Sequence, residues 1–181
     1  MQSFRQQTYQ NRELLILWSS AAAGDHPSIA DDVRIVVVYG RPPIGIARNL
    51  GCEQAHGEII CHWDDDDYSA PNRITDQVGR LLDTGKAVTG YSSMRFTDGR
   101  RNWQYSGSAG YALGTSLCYR RDFWQVNRFP PEQVGEDNSF VARARARGAI
   151  VSVDAGDLMF ATIHGGNTSP RQLTGGNWRQ I

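Results

Sequence analysis

Glu58-Ile59-Ile60-Cys61-His62-Trp63-Asp64-Asp65-Asp66-Asp67, followed after three intervening residues by Pro71, decides the fold. Ile59, Ile60, Cys61 and Trp63 form an apolar run of strand length, and Pro71 suits the first turn of a helix. Four carboxylates therefore sit where a strand hands over to a helix. Neighbouring carboxylates about 5–6 Å apart repel by roughly 3 kcal/mol per pair at an effective dielectric near 20, and by under about 1 kcal/mol in open water. In a partly closed cleft such a cluster needs a divalent cation. On an open loop it needs nothing, and the residues alone also admit a solvated acidic loop that lends charge to the helix N-terminus.

Working outward, Ile74, Val78, Leu81 and Leu82 follow Pro71 at helical spacing, and Gly85 ends that helix. Upstream, Ile46–His56 reads as a helix closed by Gly57, and Gly40–Gly45 with Pro42-Pro43 as a loop. Leu14–Trp18 and Val33–Tyr39 read as buried strands, joined through Ala21–Pro27 with one helical turn. Downstream, Ala87–Phe96 and Arg101–Ser106 form a hairpin about Asp98-Gly99. Leu113–Tyr119 reads as a strand, Asp137–Arg147 as a helix capped by Gly148, and Ile150–Val153 and Leu158–His164 as closing strands. From Gly165 the chain turns polar and glycine-rich, as a mobile tail or lid would. Strands alternating with helices argue for an α/β sheet with helices on both faces, whose ligands bind at the carboxyl ends of the strands. The aspartates would sit there.

The 181 residues allow one domain with a real core. Nineteen basic residues balance nineteen acidic ones, so no bulk charge points to nucleic acid or an anionic membrane. Arg143, Arg145 and Arg147 fit a solvated helix face. Cys52, Cys61 and Cys118 include no CxxC pair and read as reduced, mostly buried thiols of a cytoplasmic protein. The N-terminus is too polar for a signal peptide and the apolar runs are too short to span a bilayer, so a soluble protein is expected.

Gly45-Ile46-Ala47-Arg48-Asn49-Leu50-Gly51, then Ala55-His56-Gly57-Glu58-Ile59-Ile60, then Trp63 with Asp64–Asp67, Pro71 and Arg73-Ile74 resemble glycosyltransferase family 2, in which an ARN-x-G helix, an A-x-G-E segment and a D-x-D-D-x-x-x-P loop follow in this order. Gly114–Arg121 looks like the family's acceptor-side strand, and Gly135-Glu136-Asp137 with Phe140 like its ED segment. His164, Asn167, Thr168, Ser169 and Pro170 are similar to the H-x-x-N-T-S-P ending of one bacterial branch. Gln7-Thr8-Tyr9 and Glu13-Leu14-Leu15-Ile16 look like the approach to the second strand. The resemblance runs almost end to end. It implies a GT-A-type, Rossmann-like, mixed and mostly parallel sheet, with a catalytic domain over 1–164 and a tail or lid over 165–181. Two departures stand out. The family's opening strand, central in the sheet and ending in a P-T-Y-N-like turn, is absent ahead of the helix that begins near Met1. Either the natural start lies upstream, or another segment or subunit fills the place, or the chain is a degraded copy. Where the second strand commonly ends in D-D-G-S, this chain has Trp18-Ser19-Ser20-Ala21, which puts base recognition in question.

The resemblance also implies roles. Asp64 and Asp66 would hold Mn²⁺ or Mg²⁺, with Asp64 or Asp65 nearer the ribose, because a leaving nucleoside diphosphate develops charge that a hard cation neutralises. His164 would be a further ligand, although a lone histidine at a strand end also suits a hydrogen-bonded structural role. Asp137 is the candidate general base, with Glu136 beside it; either could instead serve the helix start. Arg48 and Asn49 would face the diphosphate or base, and Gly114 and Thr115 would line the cleft. Trp103, Tyr105 and Trp124 read as packing residues. The implied reaction is metal-dependent, inverting transfer of a sugar from a nucleotide-diphosphate donor, UDP-linked foremost, to a hydroxyl on a saccharide or lipid-linked acceptor. The implied setting is bacterial polysaccharide or glycoconjugate assembly in the cytoplasm, or peripherally at the inner membrane face. The unfilled sheet position also suggests a homo-oligomer. The rival readings are a sugar nucleotidyltransferase, for which the chain lacks a glycine-rich triphosphate loop, and an inactive nucleotide-sugar-binding remnant.

Overall fold

The computed structural model describes residues 2–20, 33–167 and 173–181. The turn expected over Ala21–Pro27 and Thr168, Ser169 and Pro170 lie outside the described residues. The fold is a mixed α/β one. At its centre is β5 (Val88–Thr97), ten residues long and buried along most of its length. One edge of β5 carries β7 (Cys118–Arg120) at its start and β6 (Asn102–Ser106) at its end, both antiparallel. The other edge carries β8 (Ile150–Asp154) and then β9 (Met159–Thr162), both parallel. β3 (Ile59–Cys61) extends the sheet beyond β7, and β4 (Tyr68–Ser69) pairs with β9. The two strands that flank the acidic loop thus attach to opposite edges of the same spine, which closes the loop over the end of β5.

β1 (Leu14–Ser20) and β2 (Val33–Tyr39) pair in parallel with each other, Leu14 opposite Val33 through Ser20 opposite Tyr39. Among the described residues no strand joins this pair to β3, so the strands fall into two sheets. What bridges the split is Glu13: its carboxylate accepts hydrogen bonds from the backbone N–H of His56 (2.6 Å) and Gly57 (2.9 Å) and from Arg34 (2.8 Å). Burial works to raise the Glu13 pKa, but these donors together hold it below the ordinary value. α2 (Ile44–Gln54) packs on both strands, with Gly51 against Leu17.

Several boundaries differ from expectation for physical reasons. α2 begins two residues early, directly after Pro43, and ends at an extended Ala55 rather than at Gly57. Glu13 takes the next two N–H groups and draws the chain out of the helix. α3 (Arg73–Thr84) starts two residues after Pro71, and Gly85 closes it with φ +65°. Its core stripe is Ile74, Val78 and Leu81; Leu82 is exposed. The one-turn α1 (Gln2–Arg5) places Phe4 on Ile74 and Val78. Gln7 then plugs the start of α3, accepting from Ile74 N–H (3.0 Å) and donating to Ala70 C=O (2.7 Å).

The strand expected over Leu113–Tyr119 is broken: Gly114–Ser116 is a single 3₁₀ turn and only Cys118–Arg120 pairs. The Ser116 hydroxyl donates to Leu113 C=O and accepts from Tyr91 N–H, each at 2.8 Å, and so holds the turn out of the ladder. A short α4 (Arg121–Gln125) follows, burying Phe123 and Trp124, then α5 (Glu136–Ala146). Part of the expected tail is a strand: β10 (Trp178–Gln180) pairs antiparallel with β6, and Trp178 packs edge-on against Phe96 and Tyr105. Antiparallel pairs outnumber parallel ones, a departure from a mostly parallel sheet, because β6, β7 and β10 all return beside the spine without a helical crossover.

Candidate functional site

The acidic loop leaves β3 and is shaped by partners far along the chain. Oxygens of Asp64, Asp66 and Asp67 lie within 4.8 Å of one another, close enough to share one cation. Asp67, half-buried, accepts from the Thr115 hydroxyl (2.5 Å) and from Thr162 N–H (2.9 Å). Even so, burial pushes its carboxyl up to about 6, with Asp64 and Asp66 adding repulsion. Asp66 is held by its backbone C=O, which accepts from the Thr162 hydroxyl (2.6 Å), and by Oδ2, which lies 2.7 Å from His164 Nε2. Gly166 N–H donates to His164 Nδ1 (3.1 Å), which leaves the ring proton on Nε2, donated to Asp66. Asn167 Oδ1 accepts from His164 N–H (2.7 Å) and steadies the strand end.

The donor set of three carboxylates with an adjacent imidazole suits Mn²⁺ or Mg²⁺. Asp64 and Asp66 share the cluster, and His164 reaches it through its 2.7 Å contact with Asp66. Asp67, assigned no separate role from the sequence, is the most firmly positioned of the group. Asp65 is exposed and outside the cluster.

The Gly114–Ser116 turn connects this cluster to the second set of expected residues. Thr115 holds Asp67 from one side of the turn. On the other, the Asp137 carboxylate lies so close over Gly114 that a Cβ there would run into it. Asp137, half-buried at the start of α5, also accepts from Asn138 N–H through Oδ1 (2.8 Å). Glu136 points inward instead: it is buried and paired with Arg48 at 2.6 Å. Burial raises the Glu136 pKa, Arg48 opposes that, and Asp137 adds to it. Arg48, which also stacks over the Phe129 ring, is therefore engaged by Glu136 rather than turned to a diphosphate. Asn49 is likewise occupied, donating to Phe129 C=O and accepting from Trp124 Nε1–H and Phe129 N–H. Trp103 and Trp124 are buried packing residues and Tyr105 packs on Trp178, as expected.

Behind the turn lies support that the sequence reading missed. His62 is half-buried and desolvation drives its pKa well below the ordinary value, with Arg48 adding to that, so the ring is neutral. Its Nδ1–H donates to Gly114 C=O (2.7 Å), and Nε2 accepts from the Tyr119 hydroxyl (3.1 Å). The guanidinium of Arg73, 1 % exposed, donates to His62 C=O (2.9 Å), Thr115 C=O (3.2 Å) and the Ser69 hydroxyl (2.8 Å) and stacks on Trp63. One buried cation thereby fastens the strand that carries the aspartates to the turn that carries Thr115. The available signal was a polar residue, His62, inside an apolar run. A separate hollow of about 290 Å³ opens where β1, β2 and α2 meet, lined by Leu17, Ser19, Val38, Arg41, Ala47 and others, with none of the aspartates in its wall.

A strand-borne acidic cluster and a helix that opens on Glu136-Asp137 thus flank one small-residue turn on this mixed sheet. The family model for Glycosyl transferase family 2 matches residues 1–150, and the chain belongs to that family. No curated protein matches it by sequence. Its fold is similar to that of S. aureus TarS 1-349 in complex with UDP (TM-score 0.66, 19 % identity, 90 % of this chain and 55 % of that one) and with UDP-GlcNAc (0.67, 19 %, 92 % and 54 %). It is also similar to the mannosyltransferase PcManGT from Pyrobaculum calidifontis in complex with GDP-Man and Mn²⁺ (0.59, 17 %, 94 % and 52 %). The chain spans about half the length of these structures. Among the described residues no helix is long and apolar enough to cross a membrane.

Proposed function

We propose that the chain is a metal-dependent, inverting glycosyltransferase domain that moves a sugar from a nucleotide-diphosphate donor to an acceptor hydroxyl. The observation that carries this is the Gly114–Thr115 turn, which touches Asp67 on one side and Asp137 on the other. The acid cluster and the candidate base thus touch the same turn, which supports their acting on one substrate. Asp64, Asp66 and Asp67, with His164, would hold Mn²⁺ or Mg²⁺. That cation supplies positive charge against the departing diphosphate. Asp137 receives the acceptor's proton as the hydroxyl attacks the sugar carbon from the face opposite the leaving group, and the small Gly114 lets the substrate lie close to that carboxylate. Arg48 acts through Glu136: by neutralising it, the pair fixes the first turn of α5 and hence the aim of Asp137.

The donor class follows from the neighbours, two of which carry UDP or UDP-GlcNAc and a third GDP-Man with Mn²⁺. A UDP-sugar is the first choice, with a saccharide or lipid-linked hydroxyl as acceptor in bacterial glycoconjugate assembly. Residues 1–164 would form the transferase unit, with the segment from 165 onward returning to the sheet at β10.

The test is UDP binding by calorimetry with and without Mn²⁺. Asp66→Ala should lower the Mn²⁺-dependent affinity more than about 100-fold while the far-UV spectrum and melting temperature hold. Unchanged affinity would overturn the assignment. The split between β1 and β3 favours one second reading, a domain that binds the donor without transferring it. Tight Mn²⁺-dependent UDP binding with no hydrolysis or transfer of UDP-GlcNAc would select that reading.

A further inference from the structure

Directly behind the cleft, Cys61 on β3 and Cys118 on β7 face each other as register partners, their sulfurs 2.9 Å apart. The ladder fixes what kind of pair this is. Arg121 N–H bonds Glu58 C=O and His62 N–H bonds Leu117 C=O, so the pairs 58/121, 60/119 and 62/117 are hydrogen-bonded and 61/118 is not. Cα atoms of a non-hydrogen-bonded antiparallel pair stand about 4.5 Å apart, inside the range a disulfide spans and at its short end. Neither thiol has a part in the transfer chemistry. Both are free.

We propose that Cys61 and Cys118 form a redox-closable pair, which a peroxide converts to a cross-strand disulfide bracing the strand before Asp64 to the strand after Ser116. The two thiols are unequal in the way such a reaction requires. Cys61 is half-buried, and its hydrogen bond with Cys118 and the nearby Arg73 guanidinium together hold its pKa below the ordinary value against the effect of burial. Cys118 is fully buried, and burial pushes its pKa up. Cys61 is thus the attacking thiolate: its sulfur takes one oxygen of the peroxide, breaking the O–O bond and releasing hydroxide (or alkoxide), to give a sulfenic acid. The Cys118 sulfur then displaces that hydroxyl, its proton leaving in the water formed. Two thiols and one hydrogen peroxide give one disulfide and two waters. Cys52 is the internal control: burial pushes it up to about 11, it bonds the Tyr119 hydroxyl, and it has no thiol neighbour among the described residues.

The chain is treated with a small molar excess of hydrogen peroxide, then alkylated with N-ethylmaleimide in denaturant and weighed intact. Reduced protein takes three adducts, one per cysteine. Oxidised protein should take one and weigh two hydrogens less before alkylation, with dithiothreitol restoring all three. In Cys52→Ser the count should fall from two to none, and in Cys61→Ser it should stay at two. Three adducts after peroxide, oxygen gained in place of hydrogen lost, or disulfide-linked dimers on a non-reducing gel would each overturn the proposal. The wild-type measurement stands even where a variant fails to fold.

Discussion

Asp137 and Glu136 are adjacent in sequence and opposite in use, and the difference comes from which way each leaves the first turn of α5. Glu136 goes inward to Arg48, where burial makes an unpaired carboxylate costly. Asp137 stays half-exposed against Gly114. Replacing Asp137 with Asn keeps the shape and removes the proton acceptor, so kcat for sugar transfer should fall by about 10²–10⁴-fold while the donor Kd changes little. Steady-state kinetics beside UDP calorimetry checks this; an equal loss in both would mean that Asp137 merely shapes the donor site. Part of this was legible from the chain: Asp64 and Asp66 of the aspartate run cluster, the strand-end His164 contacts Asp66, and Asp137 of the ED pair lies against the Gly114 turn. What could not be read was which acid is positioned by which partner. Asp67 acquires its role from Thr115 and Thr162, both far away in sequence; Arg48 is taken by Glu136 in the first turn of α5, and Asn49 by Phe129 on the α4–α5 connection, which carries no periodic signal.

At the scale of elements, periodic and turn-marked segments came out nearly as written. The α3 stripe, the Asp98-Gly99 hairpin and the Gly85 stop depend only on neighbours in sequence, and these are visible in the chain itself. The 3₁₀ turn at Gly114 and strand β10 depend on tertiary bonds and were hidden for that reason. Glu13 is the sharpest case, a surface-looking glutamate that ends α2 and ties two sheets. Its folded-state pKa is depressed, so its contribution to stability is present above the unfolded value near 4.5 and is lost as pH falls through the lower folded value. Glu13→Gln should therefore lower the melting temperature at pH 7, and the gap from wild type should shrink as pH drops below about 4.5. A gap that stays constant down to pH 3 would show that the carboxylate charge has no part in the clamp.

Seen whole, the molecule is unevenly held. β5 is hydrogen-bonded on both edges and its core side chains Val88, Tyr91, Met94 and Phe96 are fully buried, whereas β1 is mostly half-buried and, among the described residues, pairs only with β2. Local opening follows contact density, so backbone amides of Leu14–Ser20 should exchange with deuterium at least about tenfold faster than those of Val88–Phe96. Peptide-resolved exchange measures this directly, and equal protection would mean that the two sheets open as one unit.

Thr162, which sets both Asp66 and Asp67, lies 95 residues downstream of Asp67. During synthesis the acid loop leaves the ribosome long before the residue that aims it. A nascent chain arrested before β9 would carry all four aspartates yet grip Mn²⁺ no better than a loose acidic peptide does. Paramagnetic broadening on released chains ending at residues 155 and 181 would reveal that late step, and equal ion capture by the shorter chain would refute it.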